Sequence, residues 1–459
     1  MNGSAEFYVG HFGDVRREAI GAMVLERVVT TGSVVLSRIG GDRNGQVSVG
    51  NFLGSPHVTP EEIVKTAGTR TAGACAGRRI VVPQDTTEIN FSGCSGGRRG
   101  LGPAGDGKTP GFFCHAAVAV DADDEALLGL VHARIWTRRG KRSADRKSQG
   151  IEDKESSRWL EATAAVGELL GSAAQVIVVG DREFDIYCQF VRRPAGVELI
   201  VRAAQNRRLA DDAYLFDAPS DWREFGTMEV RVPPSRPGES GRIACVTVKA
   251  GRVCIARPRL AANRNDPATV TLTYVEVNET TKPPKGQKPI VWRLLTTLPV
   301  VGEPDEFAAA QEIVQLYRLR WRIEQVFRAL KSDGLKLEDT QVKDASRLFN
   351  LTAIALIAAA RTIQLVDARD GSSRPASDVA DEDMIAAAGV IGPTLEGNTA
   401  RQRNPHPHRS LAWLSWIVAR LGGWNCYYKP PGPKTMRTGW NQLAAIAIGY
   451  AAANARQNS

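Results

Sequence analysis

Arg78–Asp85 reads RRIVVPQD and Val176–Asp181 reads VIVVGD. Each is a short run of β-branched residues closing on an aspartate, the pattern of a strand buried on both faces of a sheet. Runs of the same kind lie between and beyond them: AAVAVDA at 116–122, LLGLVHARIW at 127–136 and ELIVRA at 198–203. The amphipathic segment KESSRWLEATAAVGELL at 154–170 predicts a helix, so strands and a helix alternate through residue 190. That alternation predicts an α/β domain. From about 222 to 300 the pattern changes to alternating strands (MEVRV, IACVTV, RVCIA, TVTLTYVEV, IVWRLLTT) parted by Pro and Gly, with no clear helix. An antiparallel β block inserted into the α/β domain is the expected result.

Helical patterns flank this region. GDVRREAIGAMVLERVV at 13–29 has helical apolar spacing with Arg16 and Arg17 in its first turn, and Thr59-Pro60-Glu61-Glu62 reads as a helix start. Helices are expected again over 306–331 and 345–366, followed by polar linkers at 367–383 and 398–409. LAWLSWIVARLG at 411–422 and NQLAAIAIGYAAANA at 441–455 predict two apolar helices whose faces suit packing or dimerisation.

The chain has 459 residues, with 59 Lys plus Arg against 50 Asp plus Glu, and 43% are hydrophobic. So apolar a composition excludes wholesale disorder, and the net charge of +9 makes a polyanion a partner worth testing. The seven cysteines are scattered without zinc-knuckle spacing and read as reduced thiols of a cytosolic protein. The N-terminal stretch lacks a basic leader followed by an apolar run. The most apolar stretches, 349–360 and 443–453, are too short or too interrupted to span a bilayer, so no membrane association is expected.

Asp85 and Asp181 stand at strand ends, where α/β proteins place their ligands, although either alone could equally cap the turn that follows. The segment YRLRWRIEQVFRALK, Tyr317–Lys331, adds the third carboxylate. On a continuous helix Tyr317, Arg320, Glu324, Arg328 and Lys331 share one arc, beside an apolar arc of Leu316, Leu319, Ile323, Val326, Phe327 and Leu330. A solvated helix face usually alternates acids with bases, whereas here five bases surround one acid, which suits a phosphate backbone beside a metal ligand. Asp85, Asp181 and Glu324 offer oxygen donors only, a set for Mg²⁺, with Mn²⁺ able to substitute. Two such ions ~3.5–4 Å apart serve in-line phosphoryl displacement without a catalytic histidine. None of the six histidines has a triad-like context.

The order Tyr317-x2-Arg320-x3-Glu324-x6-Lys331 resembles the signature of the IS-four family of bacterial insertion-sequence transposases. QDTTEINF around Asp85 and GDREFDIY around Asp181 resemble the two aspartate motifs of that family. GDVRRE at 13–18, KESSRWL at 154–160, PPKGQKPIVWRLLTT at 283–297 and ARLGG at 419–423 extend the likeness in order along nearly the whole chain.

The resemblance implies an RNase H-like catalytic core with the β insertion, flanked by helical N- and C-terminal domains. The expected boundaries are 1–75 for end binding, 76–370 for catalysis with the insertion at about 205–305, and 371–459 for dimerisation. It further implies that Asp85, Asp181 and Glu324 are the metal ligands, holding two Mg²⁺ ions, and that Tyr317, Arg320 and Lys331 contact phosphates, with Arg328 on the same face. Trp292 corresponds to a tryptophan that handles a flipped base during hairpin formation, and without the resemblance it would be ordinary strand core. Arg202 and Arg207 are expected either to contact the DNA backbone or to be a solvated strand end. The basic run Arg138, Arg139, Lys141, Arg142, Arg146 and Lys147 stands on the same footing.

The implied activity is cut-and-paste transposition on double-stranded DNA, both inverted-repeat ends and target, by a homodimer in the bacterial cytoplasm at the nucleoid. One rival is a catalytically silent DNA-binding relic that represses transposition. Another is a single-strand nickase built on His406 and His408 with Tyr427 or Tyr428 as nucleophile.

Overall fold

The computed structural model describes residues 8–92, 97–138, 151–152, 154–232, 241–259, 265–331, 334–372 and 374–457. Apart from Arg138, the basic run at 138–147 lies outside them, as does Cys94. Four helices open the chain: α1 (Val15–Thr31), α2 (Leu36–Gly40), α3 (Arg43–Leu53) and α4 (Pro60–Cys75). Then come β1 (Arg79–Asn90), β2 (Gly102–Pro103), β3 (Pro110–Asp121), β4 (Leu127–Trp136), α5 (Ser157–Leu169), β5 (Gln175–Gly180), α6 (Tyr187–Val191) and β6 (Val197–Arg202). Four strands follow: β7 (Gly226–Val232), β8 (Arg242–Ala256), β9 (Thr269–Glu279) and β10 (Val291–Thr296). The chain ends in α7 (Glu306–Arg318), α8 (Trp321–Leu330), α9 (Ala345–Ala368), α10 (Glu382–Ile391), α11 (Leu411–Leu421) and α12 (Pro433–Gln457).

Two units divide these elements: Met1–Ala76 with Thr86–Gly140 and Arg322–Ser459, and Gly77–Asp85 with Lys141–Trp321. The chain is mixed α/β with a large mixed sheet, consistent with an RNase H-like core.

In the second unit β1, β5 and β6 are parallel, with Pro83 opposite Val179 and Val179 opposite Ile200. β10 then runs antiparallel to β6, and β9, β8 and β7 continue antiparallel in turn. Ile80, Val81, Val82, Ile177, Val178 and Val179 are all fully buried, as β-branched runs covered on both faces must be. The sequence pattern split Arg242–Ala256 into two strands at Gly251, but the ladder continues through it, with Gly251 opposite Tyr274, so β8 is a single strand.

The first unit is built around α9, which packs against α1, α3, α4, α11, α12 and β4. Two buried amides tie it down: Asn350 Nδ2 donates to the carbonyls of Leu53 (2.9 Å) and Val58 (2.8 Å), and Gln364 Nε2 to that of Leu128 (2.8 Å). α9 is longer than the apolar stretch read from the sequence, and by length and composition alone it is long and apolar enough to cross a membrane. Yet 83% of its most apolar window is buried inside the fold, so its hydrophobicity is met by neighbouring helices and a strand.

The N-terminal helices start where the capping residues place them. Asp14 accepts from Arg16 N–H (2.8 Å) at the start of α1, and Thr59 accepts from Glu62 N–H (3.2 Å) with Pro60 in the first turn of α4. Glu62 also accepts from His11 N–H (2.8 Å), fastening the segment before α1 onto α4.

Candidate active site

Extending the β1–β5 register by two residues beyond Pro83 and Val179 brings Asp85 level with Asp181 on the neighbouring parallel strand. Residues in register on adjacent parallel strands project from the same face, at the ~4.8 Å strand spacing. The two carboxylates read from the sequence are thereby brought together within one unit.

Local packing fixes Asp181. Its side chain accepts from Glu183 N–H (2.8 Å), so it does cap the short 3₁₀ turn Arg182–Phe184. The glycine before it is required by sterics: a Cβ on Gly180 would stand 2.4 Å from Cδ1 of buried Phe184. Phe184 lies against Trp159 of α5 with ring centroids 5.2 Å apart, and Arg158 pairs with Glu183 at 2.7 Å.

Basic and aromatic groups surround the pair. Arg320 Nη1 is 3.7 Å from Asp85 Oδ2. Tyr317 is 3% exposed, and burial raises its phenol pKa while the charges of Arg320 and Arg202 pull the other way. Arg202 donates to the carbonyl of Val291 (3.1 Å), and its own pKa is lowered by desolvation. Trp292 packs edge-on against Tyr317 (5.3 Å) and Trp321 (5.9 Å) and is 6% exposed, so its ring lies in the interior of this cluster.

Three sequence readings change. Asp85, expected at a strand end, lies within β1, which runs on to Asn90, while Asp181 does follow the last residue of β5. The helix expected over 306–331 is interrupted: Leu319 N–H donates to Leu316 and Arg320 N–H to Tyr317, a tight i to i−3 turn between α7 and α8. The single arc from Tyr317 to Lys331 therefore does not hold, and Tyr317 is buried whereas Glu324 and Arg328 are exposed. Arg207, expected either on DNA or in solvent, is turned inward. Its Nε and Nη2 reach Asp185 Oδ1 at 3.0 and 2.7 Å, and Nη2 also donates to the Asp185 carbonyl at 2.6 Å.

Asp185 is the residue that sequence reasoning missed. Its Oδ2 accepts from the backbone N–H groups of Ala204 (2.8 Å) and Gln205 (3.2 Å), so one carboxylate holds the chain leaving β6. Its place four residues after Asp181 in GDREFDIY was the available signal.

Glu324 and Arg328 belong to the first unit, one turn apart on α8, with Ile323, Val326, Phe327 and Leu330 packed on its other side. Lys331 follows directly, its Nζ donating to Glu88 O (2.7 Å) and pairing with Glu338 (3.5 Å). Arg328, Lys331 and Lys336 line a cavity of about 540 Å³ together with Thr87, Phe327 and Glu338.

Asp85 and Asp181 supply the hard oxygen donors that Mg²⁺ prefers, and the Asp85 side chain is 22% exposed, within reach of solvent and substrate. Among the described residues, no group of three or more His, Cys, Asp or Glu side chains is gathered closely enough to hold a metal ion.

Residues 160–361 match the family model of the transposase DDE domain. The matched DDE region contains Asp181 and Glu324 and the basic residues around them, while Asp85 precedes it. The match supports a transposase function for the chain, an enzyme of the nuclease and transposase kind with DNA as its substrate class. DDE transposases generally use divalent metal ions, in keeping with the all-oxygen donor set of the paired aspartates. Of the residues of the nickase rival, His408 packs on Trp413 (4.7 Å) and Tyr427 bonds Thr399 (2.7 Å), while Tyr428 is exposed.

Proposed function

We propose that the chain is a cut-and-paste DNA transposase of the IS-four kind, with Asp85, Asp181 and Glu324 as its three metal-binding carboxylates. The observation that carries the reading is the parallel β1–β5 register, which continued two residues past Pro83 and Val179 brings Asp85 level with Asp181, the latter inside the region matching the DDE domain. Mg²⁺ bound there, as two ions, would supply Lewis-acid neutralisation of charge developing on the attacking and leaving oxygens.

The chain's own groups do the rest. Arg320 sets a positive charge beside Asp85, and with Tyr317 and Arg202 it offers donors to a DNA phosphate near the scissile bond. Lys331 and Arg328 present charge from the cavity on α8. In the proposed sequence water nicks the transposon end to leave a 3′-OH. That hydroxyl attacks the opposite strand to form a hairpin, water reopens the hairpin, and the freed 3′-OH joins target DNA. Each step is the same in-line phosphoryl displacement, so one site serves all four. Residues 1–75 would read the DNA ends, and 371–459 would contribute to the homodimer that pairs them.

The test uses duplexes taken from the DNA flanking this protein's own gene, incubated with the protein and Mg²⁺ and resolved on a denaturing gel. Nicking followed by an anomalously migrating hairpin is expected, and both products should be absent with Glu324→Gln while end binding persists. Cleavage by purified Glu324→Gln would overturn the assignment. Binding without cleavage by the unaltered protein, in Mg²⁺ or Mn²⁺, would favour a catalytically silent repressor.

A further inference from the structure

The largest of the described cavities lies in the first unit and takes no part in the proposed chemistry. It has a volume of about 760 Å³ and is walled by α4, by Leu128–Leu130 at the start of β4, and by α9 with the turn after it. That is the size range of sites for small-molecule ligands.

Four bases, Lys65, Arg70, Arg361 and Arg374, line it against two acids, Glu62 and Asp378. Arg361 is 7% exposed and Arg374 only 2%. Arg374 spends Nε on Asp378 (2.7 Å) and Nη1 on the carbonyl of Leu127 (2.8 Å), while its buried Nη2 has no hydrogen-bond partner among the described residues. A buried guanidinium N–H left unmatched is costly, and a ligand oxygen would satisfy it.

The acids at this cavity are already engaged. Asp378 is bound by Arg374, and Glu62 accepts from His11 N–H (2.8 Å) and Thr66 Oγ1 (3.3 Å). Burial, reinforced by the neighbouring charge of Arg70 and opposed by Asp381 and Glu26, pulls the Arg361 pKa down to about 9. With Arg374 already paired to Asp378, the charge left for an anion to meet is that of Lys65, Arg70 and Arg361. The apolar part of the wall is made by Leu128, Leu130, Ile357 and Ala360.

We infer that this cavity binds a small phosphate-bearing molecule of nucleotide size, its phosphates on Arg361 and Arg374 and its less polar portion against Leu128, Leu130 and Ile357. A DNA duplex is disfavoured as the occupant, because its phosphates lie on a wide convex surface that does not enter a concave cavity of this size. Free phosphates and nucleoside phosphates share the recognised chemistry, and the test separates them.

The full-length chain is titrated calorimetrically with pyrophosphate and, separately, with ATP, in EDTA so that the carboxylate site contributes nothing. Saturable binding of one or both is expected. Tighter binding of ATP assigns a role to the apolar wall, and equal binding confines recognition to phosphate. Gly73 lines the cavity, and a Cβ there meets nothing within 4 Å, so Gly73→Leu should narrow the space without disturbing the fold and weaken binding. Lys65→Gln, at an exposed position of α4, should weaken binding about tenfold through loss of one charge-assisted bond. Asp181→Asn should bind as the unaltered chain does, so the outcome is independent of the proposed catalytic assignment. Absence of binding by both probes, unchanged affinity in Gly73→Leu and Lys65→Gln, or displacement of ATP by a short DNA duplex would each overturn the proposal.

Discussion

Arg320 Nη1 stands 3.7 Å from Asp85 Oδ2, a basic side chain holding position beside a carboxylate within β1. Both groups are largely screened from solvent, with side-chain exposures of 13% and 22%. If Arg320 also meets a DNA phosphate, Arg320→Ala should weaken end binding and lower the slope of log affinity against log salt by about one. Arg320→Lys should keep the slope but lose the two-pronged geometry of the guanidinium. An unchanged slope in Arg320→Ala would confine Arg320 to its contact with Asp85.

Asp85→Asn and Asp181→Asn each remove a hard anionic donor while keeping shape and hydrogen-bonding capacity. Single-turnover nicking should fall by about 10³-fold or more, the equivalent of several kcal/mol of lost charge stabilisation. EDTA should do the same to the unaltered chain, and added Mg²⁺ should restore it. Duplex binding in EDTA should be nearly unaffected in both variants, and a parallel loss of binding would point to a folding role instead.

The alternation of β-branched runs with one helix was enough to read an α/β chain and to place Asp181 at a strand end, because buried parallel strands leave a strong local signature, whereas Asp85 lies within β1, whose polar continuation TTEIN carries no such signature. What escaped were features that depend on contacts distant in sequence. The tight turn at Leu319–Arg320 leaves no local mark in a segment of good helix formers, so the arc from Tyr317 to Lys331 was drawn too long. The inward course of Arg207 depends on Asp185, and the burial of Trp292 on Tyr317 and Trp321, partners brought in only by the sheet. α9 looked too short for a span because charged residues near its ends bound the apolar run, while the fold carries the helix past them.

Asp185 and Arg207 form a pair with side-chain exposures of 0% and 6%, and the same carboxylate also receives two backbone N–H groups. Truncating one partner leaves a buried charge unmatched, so Arg207→Ala should destabilise the chain by about 3–5 kcal/mol. Urea unfolding followed by tryptophan fluorescence measures this directly. End binding of the folded fraction should show the salt dependence of the unaltered chain. A stable Arg207→Ala protein with a reduced salt slope would instead return Arg207 to the DNA-contacting set.

Asp266 gives the acid limb of stability a specific source. Burial works to raise its pKa, but hydrogen bonds from Arg192 (2.7 and 3.1 Å) and Cys188 (3.3 Å) outweigh it and hold the carboxyl below its ordinary range. The unfolded chain therefore binds more protons than the folded one as the pH falls through the ordinary carboxylate range of about 4. The contribution is fully present above that range and is lost as the pH drops through the depressed folded value. Asp266→Asn should lower stability at neutral pH by about 1.5–3 kcal/mol, the range for hydrogen bonds to a charged group. It should also flatten the fall in urea midpoint between neutral pH and acid. Glu152, exposed and paired with Arg192 at 2.7 Å, remains in both proteins, so the difference between their pH profiles isolates Asp266. Parallel profiles would show that the Arg192 pair makes no net contribution to acid stability.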